Sequence, residues 1–157
     1  MTDSKPTQML TLERYLPYRL SILSNRISTL VANAYASRFG LSINEWRIMA
    51  ILGEYPGVSA EEVCQRTQME KSIVSRAISR LLQRQLIDRQ TDSQDKRRSC
   101  LRLTDNGVSV YNEIVPLSYR YEEALQCCFS NEEKQQFDQL INKLYRHASD
   151  FNPQQPD

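Results

Sequence analysis

The feature that most constrains this chain is one change of pattern between residues 71 and 103. From 71 to 85 the apolar residues Ile73, Val74, Ala77, Ile78, Leu81 and Leu82 fall three and four apart. At about 100° per residue they share one face of a helix. The opposite face carries Ser72, Ser75, Arg76, Ser79, Arg80 and Gln83, which are small, hydroxylated or basic, with no acid among them. Directly afterwards the helical spacing breaks. Residues 86–90 and 100–103 read as two short strands, and the polar loop between them carries Lys96, Arg97 and Arg98. The pair predicts a β-hairpin with a basic tip.

Helix starts are marked elsewhere by a repeated local device. Ser42 with Glu45, Ser59 with Glu62, and Ser130 with Glu133 each have the spacing of a capping box. The serine hydroxyl takes the amide three residues on, and the glutamate reaches back to the cap amide. Leu41 with Trp46, and Val58 with Val63, add hydrophobic staples. Helices are therefore expected to begin near 43, 60 and 131, the first ending before Pro56-Gly57 and the second near Arg66. An earlier helix is expected from about 17 to 38. Its stripe is Leu20, Leu23, Ile27, Leu30 and Ala34, and Gly40 lies just past its end. After Thr104 a further stripe runs through Val108, Tyr111, Ile114 and Val115, with Pro116 as an expected kink, and continues with Leu117, Tyr121, Leu125 and Phe129. The last helix, 131–148, is expected to bury Phe137, Leu140, Ile141 and Leu144.

Only 4 glycines and 6 prolines occur in 157 residues, and three of the prolines lie near the termini. That leaves little turn chemistry for an all-β fold. The expected class is mainly α: a winged helix-turn-helix with a short β-hairpin wing and additional N- and C-terminal dimerisation helices. The expected organisation is a helical dimerisation region from 10–38 and 105–148, a DNA-binding domain at 42–104, and flexible tails at 1–9 and 149–157.

Charge is segregated. Residues 71–102 hold nine basic and three acidic side chains, a net of +6; the whole chain is +1, so the remainder carries −5. A local basic footprint of this kind suits double-stranded DNA, although charge alone reads more readily as a solvated surface. A helix fits the major groove, where each base pair shows its own donor and acceptor pattern. Ser72, Ser75 and Ser79 keep the approach close, Arg76 and Arg80 supply hydrogen-bonding reach, and Lys71 joins the candidate DNA-binding set at the helix start. A hairpin beside that helix can set an arginine in the narrow minor groove. Asp95, Lys96, Arg97 and Arg98 complete the candidate DNA-binding set; Lys96 and Arg98 read equally well as phosphate contacts or as free surface cations.

The stretch 95–104 resembles the wing signature of the MarR family, Asp-x-Arg, five residues, Leu-Thr. Asp95, Arg97, Leu103 and Thr104 match it. Residues 71–76 are similar to that family's recognition-helix start, and Gly107 fits as well. The resemblance implies a transcription regulator, more often a repressor. It implies that Arg97 enters the minor groove while Asp95 steadies the wing. It also implies a homodimer built from the first and last helices, and a small-molecule effector.

Tyr18, Arg19, Trp46 and Arg47 are candidate effector-binding residues, suited to a small anionic aromatic or acyl ligand. Core packing is the competing role for Tyr18 and Trp46, and surface ion pairing for Arg19 and Arg47. Neither a cofactor nor a metal site is expected. His147 is the only histidine, and Cys64, Cys100, Cys127 and Cys128 lack ligand spacing. The cysteines are expected to be free thiols, with Cys127 and Cys128 in a packing role, and His147 to serve a helix C-terminus. No apolar run reaches membrane-span length and the first ten residues are polar, so a cytoplasmic protein without a membrane partner is expected. An enzyme is disfavoured, since no Gly-rich phosphate loop or spaced ligand set is present. The remaining alternative is a winged-helix protein-interaction module. Such a surface would favour aromatic or aliphatic anchors over serine and arginine on the 72–83 face.

Overall fold

All three capping boxes form in the computed structural model, which describes residues 8–91 and 99–151. Ser42 starts α2 (Ile43–Glu54), Ser59 starts α3 (Ala60–Thr67) and Ser130 starts α6 (Asn131–Asp150). In each the glutamate carboxylate accepts the cap amide at 2.7–2.8 Å and the hydroxyl accepts the glutamate amide at 3.2 Å. Caps of this kind contribute about 1 kcal/mol each to helix stability.

The first long helix, α1, is Leu16–Phe39, with Pro17 in its first turn and Gly40 closing it at φ 62°. The helix with the serine–arginine face is α4 (Lys71–Gln83). It ends two residues earlier than the pattern suggests, because Gln85 takes the left-handed conformation, φ 56°, and turns the chain into the hairpin. The strands β1 (Ile87–Thr91) and β2 (Ser99–Leu103) pair antiparallel, from Ile87 opposite Leu103 to Thr91 opposite Ser99. Leu101 also bonds the backbone on either side of Val58, which ties the hairpin to the α2–α3 connection.

The next helix, α5 (Asp105–Leu125), runs through Pro116. A 3-10 turn at Gln126–Cys128 follows it and precedes α6.

The chain divides into two compact units, residues 1–117 and 118–157, with the division inside α5. The first unit thus includes α1 together with the winged helix. Its core holds Tyr35, Leu41, Ile48, Met49, Leu52, Val63, Val74, Ile78, Leu81, Ile87, Leu101 and Ile114. Trp46 packs against this core but stays half-buried.

Two expectations are corrected. Phe137, Leu140, Ile141 and Leu144 are not buried; Leu140 is 63% exposed. They form a regular, partly exposed stripe on α6, in which Phe137 stacks on Phe129 with ring centroids 5.4 Å apart. Cys127 and Cys128 are both exposed rather than packed, because the 3-10 turn lifts them out of the α5 stripe.

Candidate nucleic-acid interface

The helix-turn-helix is made by α3, a short turn and α4. Gln68 closes α3 in the left-handed conformation, φ 54°. The Thr67 hydroxyl donates to the Val63 carbonyl at 2.7 Å and accepts the Met69 amide at 3.3 Å, which holds the turn. Val74, Ala77, Ile78 and Leu81 bury one side of α4. Burial of that side fixes which residues face outward.

Lys71, Ser72, Ser75, Arg76, Ser79 and Arg80 are all exposed. Rotation by about 100° per residue divides them. Ser72, Arg76, Ser79 and Gln83 form the outermost line, opposite the buried centre. Lys71 and Ser75 lie on one flank. There they line a cleft of ≈ 240 Å³ with Ala60, Glu61, Cys64 and Arg89. Arg80 lies on the other flank, where it and Arg76 line a cleft of ≈ 270 Å³ with Ser42 and Asn44. Gln83 and Arg89 therefore join the surface. The sequence signal for Gln83 is its place on the polar face, and for Arg89 its place in the basic segment.

Two of the outward side chains are held by their own helix. Arg76 Nε donates to the Ser72 carbonyl at 3.3 Å, and the Ser79 hydroxyl donates to the Ser75 carbonyl at 2.9 Å. The Arg76 bond is long and exposed, so it is easily exchanged for a base edge. The Ser79 oxygen keeps acceptor capacity toward the outside.

The paired strands fix where the wing leaves the body, with Thr91 and Ser99 as the last pair. Asp95, Lys96, Arg97 and Arg98 lie outside the described residues.

The four candidate effector residues all belong to the first unit, but one chain does not bring them together. Tyr18 and Arg19 are exposed near the start of α1. Arg47 Nη2 donates to the Ser28 hydroxyl at 3.1 Å, about 15 Å further along the α1 axis from Tyr18. Trp46 lies between Tyr35 and Tyr111, with ring centroids 5.7 and 5.8 Å away and the planes tilted by 45° and 38°. Burial pushes the Tyr35 hydroxyl up to about 12, against the opposing pull of the Arg47 charge. Sequence reasoning did not pair Tyr111 with Trp46, although Gly53 carried a signal. A Cβ there would stand 2.4 Å from the Tyr111 ring, and an isolated helical glycine often marks such an approach.

Comparison with known proteins agrees with this architecture. Residues 39–98 match the model of the MarR family. The HTH-type transcriptional regulator BilQ of Clostridium symbiosum is 26% identical over 116 residues, covering 74% of this chain and 81% of BilQ. A MarR/EmrR family regulator from Acinetobacter sp. ADP1 superposes with a TM-score of 0.82 at 25% identity, covering 90% of this chain and 100% of that one. The PcaV regulator of Streptomyces coelicolor, solved with its natural ligand, gives 0.73 at 26% identity, covering 90% and 99%.

Proposed function

We propose that this chain, which is similar to the winged helix-turn-helix transcription regulators of the MarR family, is a DNA-binding regulator that represses transcription by occupying a pseudo-palindromic operator as a homodimer, and that a small anionic ligand releases it. The observation that carries the reading is the outer face of α4, whose exposed residues from 71 to 83 are hydroxylated, basic or amide, with no apolar anchor at its centre. Lys71, Ser72, Ser75, Arg76, Ser79 and Arg80 meet the major groove. Asp95, Lys96, Arg97 and Arg98 serve the wing. Repression needs no further device, because a bound dimer occludes the promoter by its bulk. The reading assigns the chain no catalytic step. It places the protein with DNA in the cytoplasm; no described helix is long and apolar enough to cross a membrane.

The dimer is proposed from two stripes that a single chain leaves open. On α1, Leu20, Leu23, Ile27 and Leu30 are exposed, between 38% and 48%. On α6, Phe137, Leu140, Ile141 and Leu144 are exposed likewise. Apolar patches of this extent mark association surfaces. Effector binding is proposed for Tyr18, Arg19, Trp46 and Arg47, with the second chain available to complete a pocket that one chain leaves open.

Selection of bound fragments from genomic DNA tests the reading, together with sedimentation of the free protein. The expected results are a paired motif with half-sites about one helical turn apart and a mass twice 18.3 kDa. A stable monomer, or unpaired sites, would refute the dimer. A thermal-shift screen of aromatic carboxylates and acyl thioesters, followed by DNA release, tests the ligand. No shift with any of them would refute that part.

A further inference from the structure

The chain holds a brace between the end of α1 and the DNA-reading helix that the reading above does not use. Arg84, the residue that ends α4, reaches 44 residues back in sequence. Its Nη1 donates to the Gly40 carbonyl at 3.0 Å, and its Nη2 donates to the Phe39 carbonyl. These carbonyls belong to the last turn of α1 and the residue that closes it. Carbonyls at a helix end lack intrahelical partners, and a cation is favoured there. The planar fork of arginine can serve two of them at once.

The surroundings show that a side chain makes this link. An open cleft of ≈ 510 Å³ lies at this corner, walled by Gly40 and Ser42 on one side and by Arg80, Gln83 and Arg84 on the other. Further back along α1, Arg47 of α2 bonds Ser28, about 17 Å along the helix from Phe39. Between these points Ala32 and Tyr35 are buried in the core and Arg38 pairs with Glu113. Those ties hold α1 to α2 and α5, and Arg84 adds one from α4 itself at the end of α1.

We propose that Arg84 is a positioning residue that sets the distance between the two recognition helices of the dimer, and so the half-site spacing the protein accepts. The inference rests on the proposed dimer. In that assembly α1 is fixed to the partner chain through its apolar stripe, so the angle between α1 and α4 decides where each recognition helix lands. Arg84 holds that angle at the far end of α4. Contacts of α4 with bases are untouched by it, so base preference within a half-site does not depend on Arg84.

The test compares wild type, Arg84→Ala and Arg84→Lys on duplexes with the selected spacing and with one base pair inserted or removed. Wild type should lose tens-fold in affinity on the altered duplexes. Arg84→Ala should lose about tenfold on the selected duplex, roughly the worth of a charge-assisted bond, and should discriminate among the three spacings by less than about threefold. Arg84→Lys keeps the charge and one donor direction, so its discrimination should fall between the two. If Arg84→Ala keeps wild-type discrimination, the inference is wrong. Equal weakening on all three duplexes with a shallower salt dependence would also overturn it, because a phosphate contact behaves that way. If Arg84→Ala does not fold, the Lys variant decides, and wild-type discrimination there refutes the role. Failure of wild type to select any paired site refutes the operator reading itself, which separates the two failures.

Discussion

Gly107 lies directly against the backbone of Leu86: a Cβ on Gly107 would stand 1.9 Å from the Leu86 carbonyl oxygen. The same carbonyl accepts the Thr104 amide at 3.1 Å. The Thr104 hydroxyl donates to the Gln85 carbonyl at 2.7 Å and accepts the Gly107 amide at 3.0 Å. The start of α5 is therefore fastened to the exit of α4 at backbone distance. This explains physically why a Leu-Thr pair followed by glycine sits at positions 103, 104 and 107.

Gly107→Ala should accordingly destabilise the fold by about 2–3 kcal/mol, since a backbone carbonyl cannot rotate away as a side chain could. Equilibrium urea unfolding measures it. A change below about 0.5 kcal/mol, the range of ordinary surface substitutions, would show that α5 is not held this closely.

Gln85 should respond in the opposite direction. It is exposed and holds φ 56° just past the end of α4, where a side chain costs energy and glycine does not. Gln85→Gly is expected to raise stability by about 0.5–1 kcal/mol, the strain relieved less the entropy glycine adds to the unfolded chain. Thermal unfolding of the purified variant reads this out. A lower midpoint would mean that the Gln85 side chain contributes more than its backbone strain costs.

These contrasts show what was legible in the sequence. The capping boxes formed as read because their partners are three residues apart, so no tertiary contact is needed. The outward face of α4 was legible because thirteen helical residues repeat their period several times. Long-range polar ties were not legible. Arg38 pairs with Glu113 across 75 residues and Arg84 with the end of α1, and neither leaves a local pattern. The α6 stripe shows the intermediate case. Periodicity identified Leu140 and Ile141 as residues that want cover, but could not say that their own chain leaves them open. Tyr18 and Trp46 were grouped by chemical type alone, and the length of α1 keeps them apart.

The Tyr35 hydroxyl gives a pH-dependent prediction. Its folded value is about 12 against an ordinary 10.0, because burial disfavours the phenolate. The unfolded chain therefore releases this proton first. The stabilisation is complete below pH 10 and is lost as pH rises from 10 to 12, by up to about 2–3 kcal/mol. Tyr35→Phe cannot ionise and should lose less stability over that window than wild type does. Urea midpoints at pH 9 and 11.5 decide it, and parallel losses in the two proteins would rule out the role of Tyr35.

The recognition helix and the wing should fail differently when each loses its arginine. Arg76 sits on the outermost line of α4, and the 3.3 Å bond that tethers it to the Ser72 carbonyl is exposed and long. Freed from it, the guanidinium can meet a base edge through two donors. Arg76→Ala should therefore cost roughly 1–3 kcal/mol at one preferred base and relax selectivity there. We propose Arg97 for the minor groove, where negative potential is strongest in A·T-rich DNA. Its loss removes a charge rather than a reading contact. Arg97→Ala should weaken binding to every duplex, most where the flanks are A·T-rich, and lower the salt slope by about one unit. Titrations at several salt concentrations, on matched and single-mismatch duplexes, separate the two patterns. If folded Arg97→Ala protein keeps both affinity and salt slope, the wing does not touch DNA. Binding would then rest on α4 and its flanks alone, and the assignment of Asp95, Lys96, Arg97 and Arg98 to the interface would fail as a group.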